Sequence, residues 1–350
     1  MSDGGGRVPR LLIILMGALG DVVRGLCLVD AIRSAWPAAR ITWVVEPACA
    51  DIVRLHPRID RVVVFERKRG LRGALALRRE LQQERYDITL DLQRHFKSGV
   101  FSYLSRAPRR LGFARGDAKE GNWLFNTEHV PERGESIAKV DHYLSFLGPL
   151  GIARPAALSA GLEGVTLDSV DAPWRSQLKA PYVGLVLGSS WESKDWPVEG
   201  YHGVLASLSE AGISTAVLIG DRSREGMAQE LTGKAPSSVS VVNLAGRTNL
   251  AQLVAVLRSA SVCVGPDSGP AHICGAIGTP HVTLFGPTPA VRNAPQGSED
   301  LALASAVGCS PCKRRRCPGL GKVCMKLISP ETVLEAVIRA RQPSGEGATA

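Results

Sequence analysis

Two glycine turns, one in each half of the chain, each follow a short apolar run and carry an acidic residue. The first, Gly17-Ala18-Leu19-Gly20-Asp21, follows Leu11-Leu12-Ile13-Ile14-Leu15. The second, Gly265-Pro266-Asp267-Ser268-Gly269-Pro270-Ala271-His272, follows Ala260-Ser261-Val262-Cys263-Val264. A run of this kind reads as a strand buried on both faces, and the turn after it opens a helix. In open α/β sheets that turn is where ligands bind, because strand carboxyl ends and helix N-termini face one crevice. Two such turns suggest one ligand held between two domains.

The rest of the pattern supports this. In the first half, apolar runs at 11–15, 41–45, 62–65 and 88–92 alternate with helical periodicity at 22–36, 48–55, 71–84 and 97–105. The second half repeats the alternation, with strands expected at 182–187, 215–219, 239–243, 261–264 and 281–285. Its helices are expected at 198–211, 224–232, 250–259 and 271–277. Alternation of this kind builds parallel sheets covered by helices on both faces. Between 151 and 179 the periodicity fades into Ala, Pro and Gly, which reads as a connection. The expected organisation is therefore domains at 1–170 and 180–328, a terminal helix at 329–342, and a small polar, disordered tail at 343–350. A length of 350 residues with 45% apolar content allows each half its own core.

Charge and composition exclude some classes. Aromatic residues are only 5%, too few for a platform that stacks single-stranded nucleic acid. No apolar stretch reaches the roughly 20 residues needed to span a bilayer. The first ten residues lack the apolar core of a secretory signal, so a cytoplasmic location is expected. The net charge of +9 is concentrated at Arg58 and Arg61, at 67–69, at 106–115 and at 313–316. Such clusters suit nucleic acid, anionic membrane surfaces and phosphorylated substrates equally, and a solvated basic face is the ordinary alternative.

Several groups could carry chemistry. Asp21 falls in the first turn of a helix, where it can orient a hydroxyl or accept its proton, or simply help the helix start. The spacing Gly-x-x-Gly is not a dinucleotide fingerprint, which makes a nicotinamide enzyme a poor reading. The second turn brings a carboxylate, a hydroxyl, glycine N–H groups and an imidazole together. Ser268, Gly269 and Ala271 would offer N–H groups to an anion, Asp267 would reach a ribose hydroxyl, and His272 would lie beside a phosphate. A capping residue and a packed His are the plain alternative. Gly286-Pro287-Thr288-Pro289 adds a small-residue turn at the same edge. The loop from Gly188 to Pro197 supplies Ser189 and Ser190 as donors and Lys194 as a point charge, with Glu225 a weaker candidate for nucleoside contact. Four of the eight cysteines form Cys309-x2-Cys312-x4-Cys317-x6-Cys324. Four close thiols in a reducing compartment favour a metal, and a structural zinc is the candidate. The spacing is irregular, however, and the basic insert at 313–316 could stabilise thiolates or meet acceptor phosphates, so an iron–sulfur cluster and free or reversibly paired thiols stay open.

Together these residues resemble the glycosyltransferase family 9 heptosyltransferases. The similarity runs through Ala18-Leu19-Gly20-Asp21-Val22, Asp91-Leu92-Gln93 with Lys97-Ser98, and Arg110-Leu111-Gly112-Phe113. It continues through Lys194-x-Trp196-Pro197, Asp267-Ser268-Gly269-Pro270-x-His272 and Leu284-Phe285-Gly286-Pro287-Thr288. The Cys309-x-x-Cys312 loop looks like the heptosyltransferase II type. The resemblance implies a GT-B architecture, two Rossmann-like doubly wound domains facing across a cleft, the first holding the acceptor and the second the sugar nucleotide. It implies inverting, metal-independent transfer of L-glycero-D-manno-heptose from ADP-heptose to the inner core of lipopolysaccharide, with no cofactor required. Asp21 matches the general base. Ser189, Ser190, Lys194, Glu225, Asp267, Ser268, Gly269 and His272 fall on the donor side, and Gly20, Gln93, Lys97 and Lys119 on the acceptor side. The partners implied are an ADP-sugar and a phosphorylated, Kdo-bearing lipid A-type glycolipid reached at the inner leaflet, without nucleic acid. The chain departs from the family pattern at Met16-Gly17 and at Arg94-His95-Phe96. A family 9 enzyme with another sugar or acceptor is the alternative, and a non-enzymatic nucleic-acid binder the distant one.

Overall fold

The computed structural model describes residues 8–319 and 321–342; the tail expected at 343–350 lies outside them. The chain divides into two compact units between Leu162 and Glu163.

In the first unit, strands β1 (Arg10–Ile14), β2 (Arg40–Val45), β3 (Arg61–Val64), β4 (Ile88–Asp91), β5 (Arg109–Phe113) and β6 (Glu128–Val130) form one parallel sheet, in the order β3-β2-β1-β4-β5-β6. Its helices are α1 (Leu19–Ala35), α2 (Pro47–Arg54), α3 (Gly70–Leu81), α4 (Phe96–Leu104) and α5 (Lys139–Leu144). The central strands are the apolar runs of the sequence: Leu11, Leu12, Ile13 and Ile14 are wholly buried, as strands covered on both faces require. Helix α1 also buries residues most of the way round, including Val22, Val23, Leu26, Leu28 and Ile32, because α5 packs on it from outside the sheet.

In the second unit, β7 (Val183–Val186), β8 (Thr215–Ile219), β9 (Ser240–Asn243), β10 (Val262–Pro266), β11 (His281–Phe285) and β12 (Ala302–Ala304) form a second parallel sheet, in the order β12-β11-β10-β7-β8-β9. The helices are α6 (Val198–Ser207), α7 (Glu225–Gly233), α8 (Leu250–Ser259), α9 (Gly269–Ile277), the short α10 (Ala290–Asn293) and α11 (Val323–Lys326), and α12 (Pro330–Arg341). Counted within each unit, both sheets have the order 3-2-1-4-5-6, the doubly wound Rossmann arrangement. Its reversal point falls between β1 and β4 in one unit and between β7 and β10 in the other. The loops leaving those four strands are therefore where each unit should hold a ligand.

Three strands went unread in the sequence. Strands β5 and β6 carry Arg109, Arg110, Glu128 and His129, so they lack the apolar run of a central strand. Arg109 and Glu128 instead form a two-pronged ion pair across them, at 2.7 and 2.9 Å. Strand β12 is a three-residue edge.

Candidate active site

In the second unit the site grows from the loops after β7, β10 and β11. Asp267 leaves β10 at its carboxyl end and is 4% exposed. Its Oδ2 accepts hydrogen bonds from Lys194 Nζ at 2.7 Å and from Thr288 Oγ1 at 2.8 Å, and its Oδ1 lies 3.2 Å from His272 Nε2. Burial pushes this carboxyl up. The His272 and Lys194 contacts outweigh burial and hold it well below the usual carboxylate range. Asp267 is thus the hub that fixes a cation, an imidazole and a hydroxyl, a use of its carboxylate the sequence reading did not foresee. Lys194 also packs over the Trp191 ring at 4.7 Å.

Ser268 occupies the N-cap of α9 but makes no capping bond with its side chain. Its hydroxyl is buried and, among the described residues, has no hydrogen-bond partner. The first-turn N–H groups of Gly269 and Ala271 have no partner inside the helix, because an α-helix begins with unmatched donors. With the helix dipole, these groups suit an anion.

The loop after β7 is shaped by a second ion pair. Asp195 Oδ1 accepts the Ser189 N–H at 2.9 Å, while Arg224 sits 2.8 Å from Asp195 Oδ2 and donates to the Ser189 carbonyl at 3.1 Å. Gly188 turns the chain at φ +118°, and a Cβ there would lie 2.6 Å from the Arg224 guanidinium, so only glycine fits. The Ser189 hydroxyl is spent on Trp191, bonding its N–H and C=O at 3.1 and 3.0 Å. Ser190 is exposed, and so is Glu225 at the start of α7.

The cysteine loop abuts this site. Ser193 donates its hydroxyl to the Arg314 carbonyl at 2.6 Å and its N–H to that of Arg315 at 3.2 Å. Cys309, Cys312, Cys317 and Cys324 are free thiols lining one cavity of about 350 Å³. Burial, then the neighbouring thiols, push the Cys324 thiol up. Among the described residues, no three His, Cys, Asp or Glu side chains are gathered as metal ligands. Nearness in sequence thus brings the four candidate zinc ligands to the wall of one cavity.

In the first unit Asp21 sits in the first turn of α1. Its Oδ1 pairs with Arg24 at 2.7 Å and with Lys139, from α5, at 2.5 Å. Lys139 is distant in sequence, and only the packing of α5 on α1 reveals it. Gly20 is buried beside Asp21. Gln93 follows β4, but its carboxamide is engaged by the backbone of Met16 and Gly17. Lys97 is exposed on α4 with its ammonium 5.7 Å from the Phe65 ring, and Lys119 is exposed with its N–H bonded to the Arg94 carbonyl at 2.8 Å. Arg94 itself turns inward over the Phe113 ring. The structure thus gathers Lys194, Asp267, Ser268, Gly269 and His272 into one cradle and ties Gln93 to the turn before Asp21. Ser190, Glu225, Lys97 and Lys119 stand at the surface.

Residues 74–322, more than half of the chain, match the glycosyltransferase family 9 (heptosyltransferase) model. The lipopolysaccharide core heptosyltransferase OpsX of Haemophilus influenzae is 28% identical, over 85% of this chain and 84% of that protein. The family 9 glycosyl transferase of Veillonella parvula superposes with a TM-score of 0.78 at 20% identity, over 97% of this chain and 99% of that one. The E. coli heptosyltransferase WaaC, solved with ADP-2-deoxy-2-fluoro heptose, gives 0.73 at 22% identity, over 95% and 100%.

Proposed function

Because this chain belongs to glycosyltransferase family 9, we propose that it moves L-glycero-D-manno-heptose from ADP-heptose to the inner core of a lipopolysaccharide precursor, inverting the anomeric centre without a metal. Its activity is glycosyl transfer, and its fold is the GT-B type of two Rossmann-like units. The heptose donor and core acceptor are supported by the relatives' names, which describe lipopolysaccharide heptosyltransferases. The observation that carries the reading is the Asp267 hub at the N-terminus of α9, which fixes Lys194 and His272 beside first-turn N–H groups.

In this reading the second unit holds the donor and the first the acceptor. As the glycosidic bond to the diphosphate breaks, negative charge builds on the departing ADP. The Lys194 ammonium, the Gly269 and Ala271 N–H groups and the Ser268 hydroxyl stabilise that charge. Ser190 and Glu225 border the nucleoside. Asp21 accepts the proton of the attacking hydroxyl, and an ordinary carboxylate suffices if deprotonation trails an oxocarbenium-like step, as in glycoside chemistry. Lys97 and Lys119 on the first unit offer charge to acceptor phosphates, and Gly20 leaves room beside the base. The basic clusters suit contact with an anionic inner leaflet from the cytoplasmic side. Among the described residues, no helix is long and apolar enough to cross a membrane.

The test is differential stabilisation. ADP should raise the melting temperature, by an amount set by RT ln(1 + [L]/Kd), while UDP, GDP and NAD should leave it unchanged. An equal rise with UDP would remove the adenine-nucleotide reading. Mass spectrometry of the acceptor after incubation with ADP-heptose then identifies the sugar transferred.

A further inference from the structure

We propose that Gln93 is a positioning residue that sets the carboxylate of Asp21, an inference resting on Asp21 being the general base. Helix α1 starts without a capping side chain, because its N-cap is Ala18. The turn joining β1 to α1 is closed from outside instead. Trp43 Nε1 donates to the Leu15 carbonyl at 3.0 Å, and the Glu46 N–H to the Met16 carbonyl at 2.9 Å. The remaining groups go to one carboxamide. Gln93 Oε1 accepts the N–H groups of Met16 at 2.7 Å and Gly17 at 3.2 Å, and Gln93 Nε2 donates to the Gly17 carbonyl at 2.9 Å.

Gln93 is held in turn. Its N–H donates to Asp91 Oδ1 at 3.2 Å, and Asp91 Oδ2 accepts Asn122 Nδ2 at 2.6 Å. Asn122 also donates to the His95 carbonyl at 2.9 Å and to Ser98 Oγ at 3.1 Å. Asp91 and Asn122 are both wholly buried. Burial raises the Asp91 carboxyl to about 6 against the pull of the Asn122 and Ser98 hydrogen bonds. Because Ile14 lies opposite Asp91 in the sheet, this chain of bonds crosses the reversal point and ends four residues before Asp21. Arg24 and Lys139 hold the Asp21 side chain; Gln93 holds the backbone on which it stands.

The experiment measures single-turnover transfer and ADP affinity for Gln93→Ala and Gln93→Glu, each in the wild-type and Asp21→Asn proteins. Gln93→Ala should slow transfer by about 100-fold, the scale of an angstrom-sized misplacement, with ADP affinity held within about twofold. Gln93→Glu keeps the acceptor for both N–H groups but loses the donor to Gly17. It should lose about tenfold and preserves the test if the alanine variant fails to fold. In the Asp21→Asn protein either change should cost no more than about twofold, since no base remains to be placed. Equal losses in both backgrounds, or wild-type rates in both variants, would overturn the inference. An Asp21→Asn protein with wild-type transfer removes the base assignment itself, an outcome distinct from the other two.

Discussion

Asp21→Asn is expected to slow transfer by about 10²- to 10⁴-fold, the range for loss of a general base, or roughly 3–5 kcal/mol of barrier. The substitution keeps the shape of the side chain and removes only its charge and basicity. Every residue proposed to meet ADP belongs to the second unit: Ser190, Lys194, Glu225, Asp267, Ser268, Gly269, Ala271 and His272. ADP affinity should therefore stay within about twofold. Asn leaves Arg24 and Lys139 facing each other without the carboxylate they now share. The three side chains are only 11–22% exposed, so water screens that repulsion incompletely and the melting temperature should fall, which is why rate and ADP affinity are compared on folded protein. Rapid-quench transfer assays beside calorimetric ADP titration read the two quantities separately. A variant that loses ADP binding with its rate would place Asp21 on the donor instead, and one that keeps its rate would strip it of the base role.

The parts of the two candidate sites, one in each unit, that the sequence revealed share one physical property: they sit where a strand buried on both faces ends. Leu11-Leu12-Ile13-Ile14 and Val262-Cys263-Val264 read as continuous apolar runs because helices cover both faces of their sheets. The glycines after them mark the turns that present Asp21 and Asp267. Partnership across the fold left no such mark. Lys139 reaches Asp21 because two helices pack together, and Thr288 reaches Asp267 from the loop of the neighbouring strand, although the turn containing it was visible. Gln93 stood in a motif that pointed to the acceptor, but the β1–β4 pairing turned its amide onto Met16 and Gly17. Arg224 and Asp195, which shape the loop carrying Lys194, are an ordinary basic and an ordinary acidic residue in sequence. The cysteines keep in the fold the nearness that their spacing gave them in sequence, and all four line one cavity.

Asp267→Asn is expected to weaken ADP binding by about 1–3 kcal/mol, the scale of a lost charge-assisted bond, or roughly 5-fold to 150-fold. The direction is not obvious. A carboxylate near a diphosphate repels it, so deletion of the charge could tighten binding. Organisation should win, because Asp267 is buried and three partners converge on it. In Asn one carboxylate oxygen becomes an NH2 donor and the charge is lost, so the Lys194 ammonium loses its anionic anchor, the one amide oxygen left can serve only one side of the hub, and the cation must be ordered by the ligand itself. Lys194→Ala should weaken ADP binding to a similar degree by removing the cation, and the two losses should not add, since each residue acts through the other. Stability supplies an independent reading. The folded pKa of Asp267 is held below its unfolded value, so its contribution is present above about pH 4 and fades as the pH falls towards the folded value. The stability gap between wild type and Asp267→Asn should therefore be wide near neutrality and close on acidification below pH ~4. Tighter ADP binding by Asp267→Asn, or additive losses in the double variant, would show that the carboxylate opposes the ligand and that the cradle is organised by something else.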